Sequence, residues 1–220
     1  MSWKCDIIGE TGLQFYGKTA ASLSHEIKNA LAIINENAGL LKDFTLMSRE
    51  GLPIDPERLM SVAEKVMTQV RRADGIVANM NRFAHSVDES VKDVDLGEIL
   101  EFVATLSRRL ASMRGVTLEP RRITSPVTIT TNPFFLQNLV SLCLDFAMDT
   151  AGTGKTVGLV AEKTKNGARV RFLGIGGLAE LPADTFPANR EKILLEALRA
   201  QLTVDTEAGE LVLSLSRDMD

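Results

Sequence analysis

Two long stretches of this chain carry apolar residues at alternating spacings of three and four, and a break that no single helix can cross separates them. In the first, Ile27, Leu31, Ile34, Ala38 and Leu41 keep that rhythm; in the second, Leu59, Val62, Val66, Val70, Ala73, Val77, Met80, Ala84 and Val87 keep it again. This is the spacing of amphipathic helices packed in a coiled bundle. The first helix is expected over Leu13 to Thr45, and Met47 to Pro53, with Gly51 and Pro53, ends it. Asp55 followed by Pro56 reads as an N-cap with proline at the first helical position, so a second helix begins there. A short connection makes the pair an antiparallel hairpin. A lone hairpin cannot cover two such seams, so pairing with a second copy into a four-helix bundle is the expected solution.

His25 stands on the polar side of the first helix. At about 100° per residue it lies roughly 160° around from Ile27, away from the seam. The same rotation places Asn29 one turn on, then Ala32, Glu36 and Gly39, along its own stripe. A histidine flanked by an acid and an amide, followed by small residues, can receive a group and leave room for a partner to dock. Most lone histidines on polar helix faces are merely solvated, and periodicity alone does not separate the two readings. His85, one residue past the seam position Ala84, reads as a packing or boundary histidine.

The string around His25 resembles the H-box of sensor histidine kinases, H-E-[IL]-[KR]-N-P-L. His25, Glu26, Ile27, Lys28, Asn29 and Leu31 match it, and Ala30 stands in place of the proline. The resemblance implies a dimerisation and histidine-phosphotransfer hairpin with His25 as phosphoacceptor. Glu26 would orient the imidazole or take its proton. Family members that dephosphorylate their receivers carry an acid after the histidine and Asn or Thr three residues beyond it, as Glu26 and Asn29 do; the alternative for Asn29 is a surface amide without a role. Lys18 and Lys28 either screen phosphate charge or are only solvated.

Charges cluster at Ser86 to Asp95 and the seam ends there, so the chain divides into a hairpin, residues 1–90, and a second domain, 91–220. The second part reads as a helix from Leu96 to Met113, a β-rich run at Val127 to Thr130, and a helix from Pro133 to Met148. β-Rich runs at Thr156 to Glu162 and Ala168 to Leu173, a helix from Asn189 to Leu202, and a strand at Leu211 to Leu215 follow. The fold class is therefore α+β, a helical hairpin followed by an α/β sandwich with one sheet covered by helices. The element order resembles the Bergerat-like ATP-binding domain that follows the hairpin in histidine kinases.

The nucleotide chemistry of that family is not matched. Its N-box carries two asparagines; the corresponding helix, Asn132 to Asp149, has Ser141 and Asp145 at the aligned positions. Its D-x-G-x-G motif corresponds to Phe172, Leu173, Gly174, Ile175 and Gly176, with Phe172 in place of the aspartate that receives the adenine amino group. A ring cannot accept that hydrogen bond, and a buried donor left unpaired costs on the order of 1–3 kcal/mol. The glycine-rich lid should precede the last helix, yet ADTFPANREKILLEALRAQL contains no glycine to crowd backbone amides onto phosphates. These losses imply that this chain binds no ATP of the family type. Gly152 to Thr156 mimics the end of a P-loop, but Asp149 stands where its first glycine belongs and a helix precedes it, so it reads as a turn. His25, Glu26 and Asn29 likewise mimic the zinc-protease H-E-x-x-H without its second histidine, so no metal site is expected.

A phosphoacceptor histidine without an ATP site must take its phosphoryl group from elsewhere. The combination resembles the dimeric histidine phosphotransferases of bacterial phosphorelays. It implies transfer between receiver-domain aspartates through His25, with receivers of response regulators or hybrid kinases as partners. No cofactor is expected on this chain, and Mg²⁺ would be supplied by the receiver. Lys28, Ala32, Glu36 and Gly39 on the first helix and Arg82 and Phe83 on the second are the expected docking residues. Two alternatives stay open: a divergent active kinase that autophosphorylates His25 with ATP, and a non-catalytic dimeric scaffold for receivers. The 220 residues, 45% hydrophobic, suffice for one medium core or two small ones. A formal net charge of −4 gives no electrostatic reason to bind nucleic acid or an anionic membrane. No segment reads as a signal peptide or membrane span, so a cytoplasmic location is expected. Cys5 and Cys143 are too few for a disulfide framework or a four-ligand zinc site, and Cys143 should be buried in a helix.

Overall fold

A computed structural model describes residues 2–121, 125–178, 182 and 185–217, with side chains from residue 6 onward. The chain divides into two compact units, one formed by Lys18–His85 and the other by Met1–Gly17 together with Ser86–Asp220.

The first unit is a helical hairpin. Helix α1 spans Ser2–Arg49 and helix α2 spans Pro56–Ala84. The expected start of α1 at Leu13 is eleven residues late (13 minus 2), because Gly9 and Gly12 argue against a helix locally while packing in the second unit overrides that propensity. Gly51 sits in the left-handed region at φ 84°, ending the turn after α1. The Asp55 carboxylate accepts the Glu57 N–H at 2.9 Å and Pro56 opens α2, as the cap signature implies. Two contacts set the direction of the helices. Arg58 lies over the Phe44 ring at 5.2 Å and Arg72 lies 3.9 Å from Glu26, so positions that rise along α1 fall along α2.

The buried face of the hairpin is rotated from the stripe read in the sequence. On α1, Leu23, Ala30, Asn37 and Phe44 are buried at seven-residue intervals, with Thr19 and Ser22 also buried near the first of them; on α2, Val62, Ile76 and Phe83 keep the same period, with half-buried Gln69 between. Leu31 stays 54% exposed, Ile27, Ile34 and Leu41 are half-buried, and Ala38 is exposed. On α2, Met60 and Met67 are 63% and 58% exposed, and Val70 and Val77 are also exposed. The three-and-four rhythm thus merges two stripes, one closed inside the hairpin and one open.

The second unit is built on a five-stranded sheet. Its elements are β1 (Lys92–Asp95), α3 (Leu96–Arg114), β2 (Thr117–Pro120), β3 (Thr128–Thr131), α4 (Pro133–Asp149), β4 (Thr156–Thr164), β5 (Gly167–Leu173), α5 (Asn189–Ala197), β6 (Gln201–Asp205) and β7 (Glu210–Ser216). The main sheet has the order β2-β4-β5-β7-β6, parallel between β2 and β4 and antiparallel elsewhere, and β1 and β3 form a separate antiparallel pair. Period-two alternation sends Val157, Leu159, Ala161, Ala168, Val170, Phe172, Leu211, Leu213 and Leu215 into one core. Helix α4 is buried on most sides by Leu136, Leu139, Val140, Cys143, Leu144 and Ala147, the pattern of a helix in a protein interior. On the other face of the sheet, Arg171 spans three strands. Its Nε and Nη2 donate to Glu210 at 2.9 and 2.7 Å and its Nη1 to Glu162 at 3.0 Å. These hydrogen bonds, Glu210 first, raise the guanidinium's pKa above its ordinary value.

Caps fix the helices of this unit. Asp95 accepts the Glu98 N–H at 3.0 Å, and Asn132 accepts the Phe135 N–H at 2.8 Å ahead of Pro133. The first turns of α1 belong here because Phe15 packs against Phe134 at 5.7 Å, and a Cβ on Gly12 would lie 3.2 Å from the same ring. Helix α5 ends at Ala197, and Leu202 lies in β6 rather than in the helix expected to reach it. The stop is a Schellman motif: Arg199 N–H donates to Glu196 and Ala200 N–H to Leu195, with Arg199 at φ 49°. A non-glycine residue in the left-handed region left no stop signal in the sequence.

Candidate functional site

His25, Glu26 and Asn29 sit on α1 within the hairpin unit. His25 and Asn29 are exposed, while Glu26 is turned inward with its side chain 18% exposed. The rotation expected of His25 holds: it projects from the hairpin into solvent. Ala30, at the position of the proline in the H-box pattern, is fully buried on the inner stripe, where its small side chain lets the helices approach. Glu26 faces α2, where Nη2 of Arg72 lies 3.9 Å from its Oε2. Arg72 carries no motif that marks it in the sequence. Its only signal would have been its place beside the inner stripe of α2.

Of the expected docking residues, Lys28, Ala32, Glu36, Gly39 and Arg82 are exposed. Phe83 is not: it is 2% exposed and continues the buried period of Val62 and Ile76. A ring closed into the interior offers nothing to a docking partner. His85 caps α2, its backbone N–H donating to the carbonyls of Asn81 and Phe83.

The residues that the sequence aligns with kinase nucleotide motifs lie in the second unit. Phe172 has no exposed surface and lies in the core, paired in register with Leu159 on β4 and Leu211 on β7. The two glycines after it are explained by backbone packing. A Cβ on Gly174, at φ 85°, would meet the Thr156 carbonyl, and a Cβ on Gly176 would lie 2.5 Å from Cα of Gly152. Gly152 N–H donates to Gly174 and Gly176 N–H to Thr150, at 3.0 and 2.9 Å. The P-loop-like Gly152 to Thr156 is a turn, closed by Lys155 N–H on the Gly152 carbonyl. Both glycine motifs therefore serve one close crossing of two chain segments.

Asp145 is held by α3: Arg114 Nη1 donates to it at 2.9 Å, and Arg114 Nε lies 3.1 Å from Asp149. Phe186, which precedes α5, stacks on Phe146 of α4 with ring centroids 4.3 Å apart and planes 11° from parallel. Glu191 is buried, with one carboxylate oxygen accepting the Ala188 N–H and the other the Arg190 Nε–H. Cys143 is buried in α4, and desolvation first, then the Glu191 charge, pushes its thiol far above the ordinary range.

No family profile matches this chain, and no curated protein matches it. Solved structures do. It is similar to the histidine kinase AdeS of Acinetobacter baumannii, at 11% identity over 82% of this chain and 95% of that one, with a TM-score of 0.47. It is similar to the ATP-binding domain of PrrB from Mycobacterium tuberculosis, at 17% identity over 59% and 98%, TM-score 0.45. It is also similar to the cytoplasmic segment of the histidine kinase QseC, at 18% identity over 67% and 95%, TM-score 0.40. Likenesses of this degree carry no statement about activity.

Proposed function

We propose that this chain is a histidine phosphotransferase of a two-component phosphorelay, passing a phosphoryl group between receiver-domain aspartates through His25 without using ATP. The observation that carries the reading is an exposed His25, set in His25-Glu26-Ile27-Lys28-Asn29, on a hairpin helix with one open apolar stripe.

In the first half-reaction a lone pair of the neutral imidazole forms an N–P bond while the acyl P–O bond breaks, and the receiver's aspartate leaves as a carboxylate with that electron pair. In the second, a carboxylate oxygen of another receiver attacks phosphorus, and the N–P bond breaks to return the imidazole. A divalent cation held by the receiver would supply charge stabilisation. This chain contributes the nucleophile, an outward orientation, and an exposed surface at Lys28, Ala32, Glu36, Gly39 and Arg82 for the receiver to cover. Asn29, one turn beyond His25, is placed to orient water if phosphatase activity accompanies transfer.

Independence from ATP is supported by Phe172 in the core, Asp145 paired with Arg114, and the Phe146–Phe186 stack. Homodimerisation is supported by the open stripe of Leu31, Met60, Met67, Val70 and Val77, which a second hairpin would cover. Among the described residues no helix is long and apolar enough to cross a membrane. A cytoplasmic location follows from the proposed partners.

The test is phosphotransfer from purified phosphorylated receivers, with an ATP-only control. Label on His25 from a receiver, and none from ATP, is the expected result. Label from ATP would make the chain a kinase, and receiver binding without label would make it a scaffold.

A further inference from the structure

Glu26, next in sequence to His25, forms an ion pair with Arg72 whose geometry is loose. The 3.9 Å separation exceeds hydrogen-bond distance, so the guanidinium is attracted to the carboxylate without being locked by it. Among the described residues Arg72 has no other ion pair or hydrogen bond, and its side chain is 49% exposed. A loose, half-exposed pair of this kind adds little to stability, too little to explain the arrangement as a staple of the hairpin. Its donors, by contrast, are free. A guanidinium presents five N–H groups in a planar fork that matches two oxygens of a phosphoryl group.

The surroundings narrow the ligand. Arg72 is drawn toward α1 by the acid next in sequence to His25. Glu26 faces inward and His25, its neighbour in sequence, faces outward, so a cation drawn to Glu26 lies off the exposed approach to the imidazole. Glu26 also neutralises the cation until a group of greater negative charge arrives.

We propose that Arg72 is a catalytic cation of the phosphoacceptor site: Glu26, next in sequence to His25, draws its guanidinium toward α1, and it exchanges the carboxylate for phosphoryl oxygens as the group passes to and from the imidazole. This rests on the phosphotransfer reading. The covalent chemistry is unchanged: the N–P bond forms as the bond to the leaving group breaks, while Arg72 exchanges hydrogen-bond partners and gives up no proton. Glu26 becomes a positioning residue for the cation rather than the proton acceptor implied by the kinase resemblance.

Phosphoramidate, which donates phosphoryl to a histidine nitrogen and releases ammonia, tests the site without a receiver. Wild type, His25→Ala, Arg72→Gln and Arg72→Lys are compared for the rate of His25 phosphorylation, with circular dichroism as the check on folding. Arg72→Gln is expected to slow the reaction about 100-fold, as loss of one transition-state donor does. Millimolar guanidinium is expected to restore much of the rate and the same concentration of ammonium little, with Arg72→Lys intermediate. A structural role would not produce that rescue. If wild type labels His25 and Arg72→Gln labels it equally fast, or guanidinium rescues nothing, the role of Arg72 is overturned while the phosphotransfer reading stands. If neither phosphoramidate nor any phospho-receiver labels His25 in wild type, both fall together.

Discussion

The Phe186 ring, three positions before α5, stacks on Phe146 of α4 with centroids 4.3 Å apart. Phe186 is nearly buried, so truncating it removes both the stacking and the packing of a ring. Phe186→Ala is expected to cost about 3–5 kcal/mol, read as a lowered urea midpoint. Mg-ATP is expected to shift the midpoint of neither protein. A nucleotide-dependent gain in stability for wild type would show a working pocket.

Installing the aspartate of the kinase D-x-G-x-G motif is expected to fail. Phe172→Asp removes a ring from the core and places a carboxylate among Leu159, Leu211 and their neighbours, where nothing pairs with it. The variant should lose the cooperative unfolding of the sheet unit and should not gain ATP binding. A folded variant that binds the nucleotide would reverse the assignment of this pocket.

Gly176→Ala tests the backbone explanation of the glycine motif. Its Cβ would sit 2.5 Å from Cα of Gly152, with no flexible side chain to give way. Destabilisation of at least about 1–3 kcal/mol is expected. Gly154→Ala, where a Cβ meets nothing within 4 Å, serves as the control and should change the unfolding curve far less.

Cys143 reports on the same core. Burial keeps its thiol protonated in the folded chain, whereas the unfolded thiol loses its proton above about pH 8.5. The folded form then binds the extra proton, so this group's contribution to stability is complete below that range and declines as the pH rises through it. Alkylation mapped by mass to the Cys143 peptide should be absent from the native protein and rapid in urea. Rapid native labelling would contradict the buried placement.

His25→Ala is expected to abolish phosphotransfer while leaving the circular dichroism and sedimentation of the protein unchanged, because the imidazole is exposed and packs into neither stripe. A change of oligomeric state on that substitution would assign His25 to an interface instead.

Local chemistry alone determined a good deal of this protein. The Asp55-Pro56 and Asn132-Pro133 caps, the two amphipathic helices and the alternating strands β4, β5 and β7 are written in neighbouring residues, since caps and periodicity act within a few positions. The outward face of His25 was legible for the same reason. Tertiary structure decided which face of each helix closes: inner and outer stripes on α1 share one three-and-four rhythm, and only the approach of α2 buries Leu23, Ala30, Asn37 and Phe44 while leaving Leu31 open. It placed Phe83 inside and brought Arg72 to Glu26. Each of these depends on residues far apart in the chain, and local propensities carry no record of contacts that form only when distant segments meet.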